Sequence, residues 1–326
     1  MTRIPPSLAT SAALVALALN AAPSHAQQAR SFVSGLGSDT NAPNCVRTAP
    51  CRTFQVAHDN TLANGEVTVL DAGSYGSVTI NRNISIINDG VGEAGALVSG
   101  GTAGITVDAG PNDAVTLRGL TIKGIGFGGG NGILFLTGRS LALENCVIRN
   151  MTGAIPLGFG VAFSPAATTS FTATNTTVTD NQNGGILVAP SGGTGIVVTA
   201  VLNGVSLYNN GFLGFEINGS NADITSRVTA TITNSVAGNN VGNGFWTMTT
   251  AGQAPTTIVL TNSVATTNVV GLRADGLGGI LVGGSTLTSN GTNLIMATGG
   301  IVNTSGNNVQ TLNLITTPFN ATTPLQ

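Results

Sequence analysis

The chain has little charge, few aromatic residues and a single lysine. Of its 326 residues, 7% are charged and 4% aromatic, whereas 41% are hydrophobic, and the formal net charge is −2. Disordered chains combine high charge with low hydrophobicity, so this composition is typical of a folded protein. The ten arginines are scattered and Lys123 stands alone, so the sequence has no basic patch for a phosphate backbone. We therefore expect no nucleic-acid partner.

The first 26 residues predict an export signal that is removed from the mature protein. Arg3 supplies a basic start, residues 12–19 are largely apolar, and Ser24 and Ala26 are small residues at the cleavage positions. The apolar stretch is too short to span a bilayer, and no other segment is long enough, so we expect no membrane span in the mature chain. The predicted location is the periplasm, the cell surface or the exterior.

Cysteine and histidine are also scarce, which bears on metal binding and redox chemistry. An oxidising compartment favours disulfides, and Cys45 and Cys51 bracket a short loop that we expect to be closed by one. Cys146 lies in an alternating apolar run and is predicted to be a small core residue. Beyond the export signal, His58 is the only histidine, so a zinc site is not expected. The sequence predicts no metal and no other cofactor.

The abundant residues form a repeat. Between about residues 115 and 290, short runs rich in Val, Ile and Thr are separated by Asn and Gly. The first anchor of each repeat is Gly119, Asn145, Asn175, Asn203, Asn234, Asn262 or Gly284. A second asparagine follows six residues after each of the last five anchors, at Asn181, Asn209, Asn240, Asn268 and Asn290.

This period predicts an all-β parallel solenoid. It is too short for a propeller blade, and the segments lack the long apolar stripes of helical repeats. Stacked coils would place equivalent asparagines about 4.8 Å apart, where their amides form ladders. We expect roughly ten coils over residues 66–308, preceded by a cap region at 27–65 and followed by a terminal cap or tail at 309–326.

The start of the chain adds a resemblance. Residues 32–39, 49–57 and 65–71 resemble the opening of secreted right-handed parallel β-helix proteins of the pectate-lyase-like superfamily. The resemblance implies a short helix within residues 53–63 that caps the first coil, with Phe54 and Ala57 facing inward. It implies little about activity, because this fold includes polysaccharide lyases, glycoside hydrolases, epimerases and non-catalytic surface proteins.

Two groups of residues are candidates for function. The first, a strip with weak catalytic potential, contains Arg118, Lys123, Glu144 and Arg149, which the repeat places on neighbouring coils. Arg118 and Glu144 would be neighbours, either as a cross-coil ion pair or as part of a site for an acidic glycan. No position holds stacked acids, which argues against a Ca²⁺-dependent lyase, so Ca²⁺ is expected only if the protein is a lyase.

The second group lies two residues after a recurring glycine, where strand alternation points outward. Glu216, Trp246 and Arg273 would line up on three successive coils, with Asn218, Met248 and Asp275 beside them. An exposed indole offers a sugar ring an apolar face, and its polar neighbours can bind hydroxyls or a carboxylate. The alternative is that a loop or the C-terminal segment covers Trp246, as the apolar Leu134 and Leu187 in the same column suggest.

The sequence therefore favours a secreted β-helix protein that binds glycans, or serves as a structural element, without catalysis. The alternative is a polysaccharide lyase or glycoside hydrolase that acts on an acidic polysaccharide. A polysaccharide is the expected partner, and the oligomeric state is left open.

Overall fold

The computed structural model describes residues 28–101 and 103–323, so the predicted export signal lies outside it. In the described ranges the chain forms thirty strands in three parallel sheets, and it passes from sheet A to sheet B to sheet C in each coil. No helix in these ranges is long and apolar enough to cross a membrane. The predicted parallel β-helix is confirmed.

Strands are numbered in chain order. Sheet A contains β1 (Gln28–Val33), β2 (Thr61–Val69), β5 (Ile84–Ile87), β8 (Ala114–Arg118), β11 (Ser140–Glu144), β14 (Thr169–Thr174), β17 (Val197–Asn203), β20 (Arg227–Thr233), β23 (Thr256–Thr261), β26 (Gly278–Gly283) and β29 (Ile301–Gly306). Sheet B contains β3 (Gly73–Ser74), β6 (Ala94–Val98), β9 (Thr121–Gly124), β12 (Val147–Arg149), β15 (Thr177–Thr179), β18 (Ser206–Tyr208), β21 (Val236–Gly238), β24 (Val264–Thr266), β27 (Thr286–Thr288) and β30 (Val309–Thr311). Sheet C contains β4 (Val78–Ile80), β7 (Ala103–Asp108), β10 (Asn131–Thr137), β13 (Phe159–Phe163), β16 (Gly184–Val188), β19 (Leu213–Asn218), β22 (Asn243–Thr249), β25 (Val270–Gly276) and β28 (Thr292–Ala297).

The number of coils is lower than the roughly ten predicted. From β2 to β28, nine coils have a strand in all three sheets, and the last turn, β29 and β30, has none in sheet C. The first of these coils is irregular, because β3 is only two residues long. Neither β1, which precedes the first complete coil, nor the incomplete last turn forms a full coil, so the count falls short of the prediction.

The core is a set of apolar columns inside the coils. In sheet C, inward residues of successive strands are in register and fully buried, as Phe215, Phe245 and Leu272 illustrate. The rings of Phe135 and Phe163 on neighbouring coils stack with centroids 4.2 Å apart. Alternate residues along each strand face opposite sides of a sheet, so the same strands must carry a second set of residues on the outer surface.

A ladder of buried asparagines lines the corner between sheets B and C. Side-chain amides donate from coil to coil over 2.9–3.1 Å. The buried members are Asn181, Asn210, Asn240, Asn268 and Asn290, and the half-buried Asn313 ends the ladder. One predicted member was wrong by a residue: Asn209 is exposed, and Asn210 takes its place.

The same one-residue error affects an anchor. Asn145, Asn175 and Asn234 adopt left-handed backbone conformations at the corner after sheet A, with φ of 48° to 53°. In the intervening coil, Asn203 ends strand β17, and the left-handed residue is Gly204, with φ +67°. Counting six residues from Gly204 gives Asn210, so the corrected anchor also corrects the ladder.

The N-terminal cap contains a short helix and a disulfide. A 3₁₀ turn at Asp39–Asn41 precedes α1, Phe54–Asp59, whose N-cap Thr53 accepts a hydrogen bond from the Val56 amide. Helix α1 is shorter than the predicted residues 53–63, because β2 begins at residue 61. Phe54 and Ala57 are fully buried, as predicted.

The cysteines are arranged as predicted. Cys45 and Cys51 form a disulfide whose Cα atoms lie 4.9 Å apart, and both residues are fully buried. Cys146 is 1% exposed, and burial raises the pKa of its thiol to about 11. Cys146 is therefore a core residue.

Candidate functional site

The outer face of sheet C carries the second group of predicted residues. Glu216 on β19, Trp246 on β22 and Arg273 on β25 are direct neighbours in register. Two residues further along the same strands, Asn218, Met248 and Asp275 are neighbours as well. The two columns predicted from the sequence are therefore present. The name Trp246 cluster is used below for Glu216, Asn218, Trp246, Arg273 and Asp275.

Asp275 connects the tryptophan to the arginine. Its Oδ2 accepts a hydrogen bond from Trp246 Nε1 over 2.9 Å and another from Arg273 Nε over 2.8 Å. The Arg273 guanidinium lies over the indole, with Cζ 4.9 Å from the ring centroid. A charge-assisted hydrogen bond and a cation–π contact thus fix the relative positions of three side chains.

Asp275 also has an unpartnered oxygen. The residue is 8% exposed, and Oδ1 has no hydrogen-bond partner within the described part of the chain. A buried carboxylate oxygen without a donor is costly, so the side chains around Asp275 satisfy only one of its two oxygens.

Glu216 is a second buried carboxyl group in the cluster. It is 5% exposed, and its Oε1 accepts a hydrogen bond from Asn218 Nδ2 over 2.8 Å. Burial raises the pKa of Glu216 to about 7; the Asn218 hydrogen bond and Arg273 oppose this rise, and the charge of Asp275 adds to it. Near neutral pH this group is therefore poised to gain or lose a proton.

A groove adjoins the cluster at the end of these strands. Its volume is about 430 Å³, within the range of small-ligand sites. The name Arg273 groove is used below for the space lined by Met248, Thr250, Arg273, Asp275, Leu277 and Thr298.

Backbone close packing shapes the edge of this groove. Gly276 has φ +64°, and a Cβ there would lie 1.7 Å from the carbonyl oxygen of Thr249. The Gly276 amide donates to Thr298 Oγ1 over 3.0 Å, and the Thr250 amide donates to Ser220 Oγ over 3.1 Å. These contacts tie the ends of four successive coils together beside the groove.

Trp246 is half-buried, and its indole has apolar contacts as well as polar ones. It packs against a small cluster on the outer face of sheet C that contains the buried Phe159, Ala162 and Leu213. Leu134 and Leu187, which occupy the same column as Trp246 on earlier coils, pack against the same cluster. The indole is therefore held on one side by apolar contacts and on the other by Asp275 and Arg273.

The first predicted group is divided between two sheets. Arg118 and Glu144 are register neighbours in sheet A, whereas Lys123 and Arg149 are register neighbours in sheet B. The expected Arg118–Glu144 ion pair is wrong: Arg118 pairs instead with Asp89, with an N–O distance of 2.8 Å.

Sheet B retains an excess of positive charge. Arg149 approaches Glu93 at 3.7 Å, and its buried Nε has no hydrogen-bond partner in the described ranges. Lys123 lies beside Glu93 in a shallow groove of about 240 Å³. Across residues 28–101 and 103–323, no three His, Cys, Asp or Glu side chains group closely enough to hold a metal ion.

Reasoning from the sequence missed two parts of these sites. Asp89 and Glu93 lie in a loop outside the repeat, so no column predicted their contacts with Arg118 and Arg149. The groove residues Leu277 and Thr298 lie in loops between sheets, where side-chain alternation gives no direction. The one signal that could have identified Leu277 and Thr298 is that both of their loops lie close to the end of β22.

The comparisons with known proteins agree with this architecture. The family model described as "Right handed beta helix region" matches residues 103–287, more than half of the chain. No curated protein sequence matches the chain. The solved structure of the pectate lyase Pel9A is similar with a TM-score of 0.64 and 19% identity, over 90% of this chain and 78% of that one. At this identity the similarity shows the fold alone.

Two further solved structures resemble the chain more weakly. The A-module of the mannuronan C-5 epimerase AlgE4 from Azotobacter vinelandii has a TM-score of 0.44 and 14% identity, over 80% of this chain and 89% of that one. A rhamnogalacturonan lyase has a TM-score of 0.42 and 14% identity, over 81% and 75%.

Proposed function

We propose that this chain, which belongs to the right-handed β-helix family, is a secreted protein that binds a polysaccharide without cleaving it. The binding site would be the Trp246 cluster together with the Arg273 groove. The observation that carries the proposal is the fixed arrangement of indole, guanidinium and carboxylate around Asp275 at the wall of a groove.

This arrangement suits a sugar for a physical reason. A sugar ring has apolar C–H faces and a rim of hydroxyls, so it needs an apolar surface flanked by fixed polar groups. The groove offers Met248 and Leu277 as apolar surface and the remaining N–H groups of Arg273 as donors. Because Asp275 already orients Arg273, little side-chain entropy would be lost on binding.

Secretion is supported by the cysteines and by the start of the sequence. A disulfide between Cys45 and Cys51 persists in an oxidising compartment. The predicted export signal in the first 26 residues points to the same location. Polysaccharides outside the cytoplasm are thus accessible partners.

The experiment offers the purified chain a panel of immobilised neutral and acidic polysaccharides, with and without Ca²⁺. Retention and new reducing ends are measured on the same samples. We expect retention without new reducing ends, and about tenfold weaker retention of Arg273→Ala. Arg30→Ala is the matched control, because Arg30 also pairs with an acid, Glu66, at 2.8 Å, but far from the cluster.

Two results would contradict the proposal. Retention that Arg273→Ala leaves unchanged would place the binding surface elsewhere. No retention on any polysaccharide would leave a structural solenoid without a glycan ligand. Circular dichroism and thermal melting of both variants show whether each is folded before retention is compared.

Polysaccharide cleavage is the second candidate function, and Glu216 is the observation that favours it. A general acid must hold a proton at the working pH, and burial gives Glu216 a pKa of about 7. Asp275, two strands away, supplies a second carboxyl group, and glycoside hydrolysis uses such a pair. New reducing ends that are lost in Glu216→Gln would establish this function. New reducing ends that are lost in Arg149→Ala would instead place the reaction at the strip of Arg118, Lys123, Glu144 and Arg149.

A further inference from the structure

We infer that the Arg273 groove takes a neutral saccharide and discriminates against uronates. The inference rests on the proposed function and specifies the class of its ligand.

The charges around the groove leave no positive excess for a uronate. Arg273 is the one basic residue among those that line it, and its guanidinium is already engaged by Asp275. Glu216 is a second carboxyl group next to Trp246, and it forms no ion pair with any residue in the described part of the chain. A carboxylate ligand would therefore face at least one acid for every base.

The free oxygen of Asp275 adds to this discrimination. Oδ1 accepts no hydrogen bond in the described part of the chain, although Oδ2 accepts two. Oδ1 is shielded from solvent, so it acts on a ligand through its charge and not through a hydrogen bond. Its negative potential beside the groove disfavours an anion. A neutral saccharide carries no charge and meets no such repulsion.

The remainder of the lining is amphipathic and uncharged. Met248 and Leu277 provide apolar surface, and Leu277 is 47% exposed, so it is accessible from solvent. The exposed Thr250 and Thr298 carry hydroxyl groups beside it. Such a surface can pack against the C–H face of a sugar and hydrogen-bond its rim without any ionic contact.

Sheet B offers the opposite electrostatics, which makes the inference testable within one molecule. Lys123 and Arg149 are neighbours there, with Glu93 as the nearby acid. If this protein bound a uronate, the surface with two bases and one acid would be favoured over the Arg273 groove. Variants on the two surfaces can therefore separate neutral from acidic binding.

The experiment measures the affinity of the full chain for soluble galactan, xylan and mixed-linkage glucan, and for polygalacturonate and alginate, at low and at physiological ionic strength. We expect binding to at least one neutral glycan that is insensitive to salt, because no ionic contact contributes. Leu277→Ala should weaken it about tenfold. Leu136→Ala, which truncates another exposed leucine on the outer face of sheet C, is the matched control.

Asp275→Asn provides a second, independent readout. Removing this negative charge leaves Arg273 unpaired, so we expect weaker neutral binding and a gain of salt-sensitive binding to polygalacturonate. Thermal melting establishes that the variant is folded. A structural role for Asp275 alone would weaken all binding and would produce no gain.

Several outcomes would overturn the inference. Binding of polygalacturonate or alginate without any neutral glycan, above all if Lys123→Ala abolished it, would refute neutral specificity while leaving polysaccharide binding intact. Neutral binding that Leu277→Ala does not alter would move the ligand out of the groove. Absence of binding to every glycan would refute the proposed function and this inference together.

Discussion

Glu216 is the residue whose environment differs most from that of an ordinary surface acid. It lies on the outer face of sheet C, yet it is 5% exposed and has Asn218 as its hydrogen-bond donor. Burial favours the neutral form, so the native state retains a proton that the unfolded chain loses at lower pH. This difference links protein stability to pH.

Stability should therefore fall as pH rises from about 4.5, the ordinary pKa of glutamate, to about 7, its pKa in the fold. Over this window the native state binds one proton more than the unfolded state does, and the loss is at most about 3 kcal/mol. Above pH 7 both states are deprotonated and the effect is complete. Urea denaturation at pH 5 and pH 8 measures it.

Glu216→Gln removes this titration, so the stability difference between pH 5 and pH 8 should shrink. Glu144→Gln is the control, because it makes the same chemical change at a half-buried position on sheet A. A Glu216→Gln variant that keeps the full wild-type pH dependence would contradict the account of Glu216.

At the scale of single residues, the sequence predicted which residues lie side by side on adjacent strands better than it predicted which side chains form ion pairs. Strand alternation was enough to align Glu216, Trp246 and Arg273, because stacked coils keep equivalent residues in register. It did not predict that Arg118 pairs with Asp89. Asp89 lies in an irregular loop, where strand alternation does not say which side chains come within reach.

At the scale of elements, the asparagine ladder is the clearest example of a repeat that stabilises the fold. Asn240 is 2% exposed; its Nδ2 donates to Asn268 Oδ1 and to the Leu207 carbonyl, and its Oδ1 accepts from Asn210. Each side chain thus satisfies buried polar groups of both neighbouring coils.

Asn240→Ala should lower the free energy of unfolding by about 3 kcal/mol, because the amide N–H of Asn210 and the carbonyl of Leu207 would be buried without partners. Asn203→Ala makes the same change at an exposed position and should cost less than about 1 kcal/mol. Equal losses in the two variants, measured by urea denaturation, would show that the ladder has no special role.

A second ladder, made of serine hydroxyl groups, was not predicted from the sequence. At the corner between sheets A and B, hydroxyl oxygens accept backbone N–H bonds from the preceding coil, as Ser235, Ser263 and Ser285 do over 3.1–3.2 Å. Serine and threonine are abundant throughout the chain, so their recurrence at one position is not distinctive. Asparagine at a fixed offset gave a clearer signal.

The N-terminal cap is a second element whose contribution can be measured. The disulfide closes a short loop beside α1, and by loop entropy such a crosslink contributes about 2 kcal/mol. The double variant Cys45→Ser/Cys51→Ser should lose about this much stability in urea denaturation.

Reductant provides the control for the cap. It should lower the stability of the wild-type chain to that of the double variant and leave the double variant unchanged, because Cys146 is a buried free thiol. If the oxidised wild type and the double variant unfolded at the same urea concentration, the disulfide would not stabilise the fold.

At the scale of the whole molecule, the fold is a one-dimensional stack in which each coil contacts mainly its neighbours. The sequence predicted this architecture because the repeat recurs in most coils, but it overestimated the number of complete coils because the two ends of the chain do not follow the repeat. The candidate site was predicted in part: its cluster lies on regular strands, whereas its groove is formed by loops of three coils.

The candidate site occupies one short stretch of the stack. Equivalent positions along sheet C are mostly apolar, as Leu134, Ala162 and Leu187 show, until Glu216, Trp246 and Arg273 follow on three successive coils. Because Trp246 is the only tryptophan in the chain, its fluorescence reports on this part of the molecule alone.

The most direct test of the account is therefore a titration of Trp246 fluorescence with the glycan that the panel shows to be retained. The account predicts a saturable change in emission whose midpoint equals the dissociation constant measured by retention, with about tenfold weaker binding for Arg273→Ala and unchanged binding for Arg30→Ala. Full retention of the glycan with no change in Trp246 emission would contradict it, because the ligand would then lie away from the Trp246 cluster.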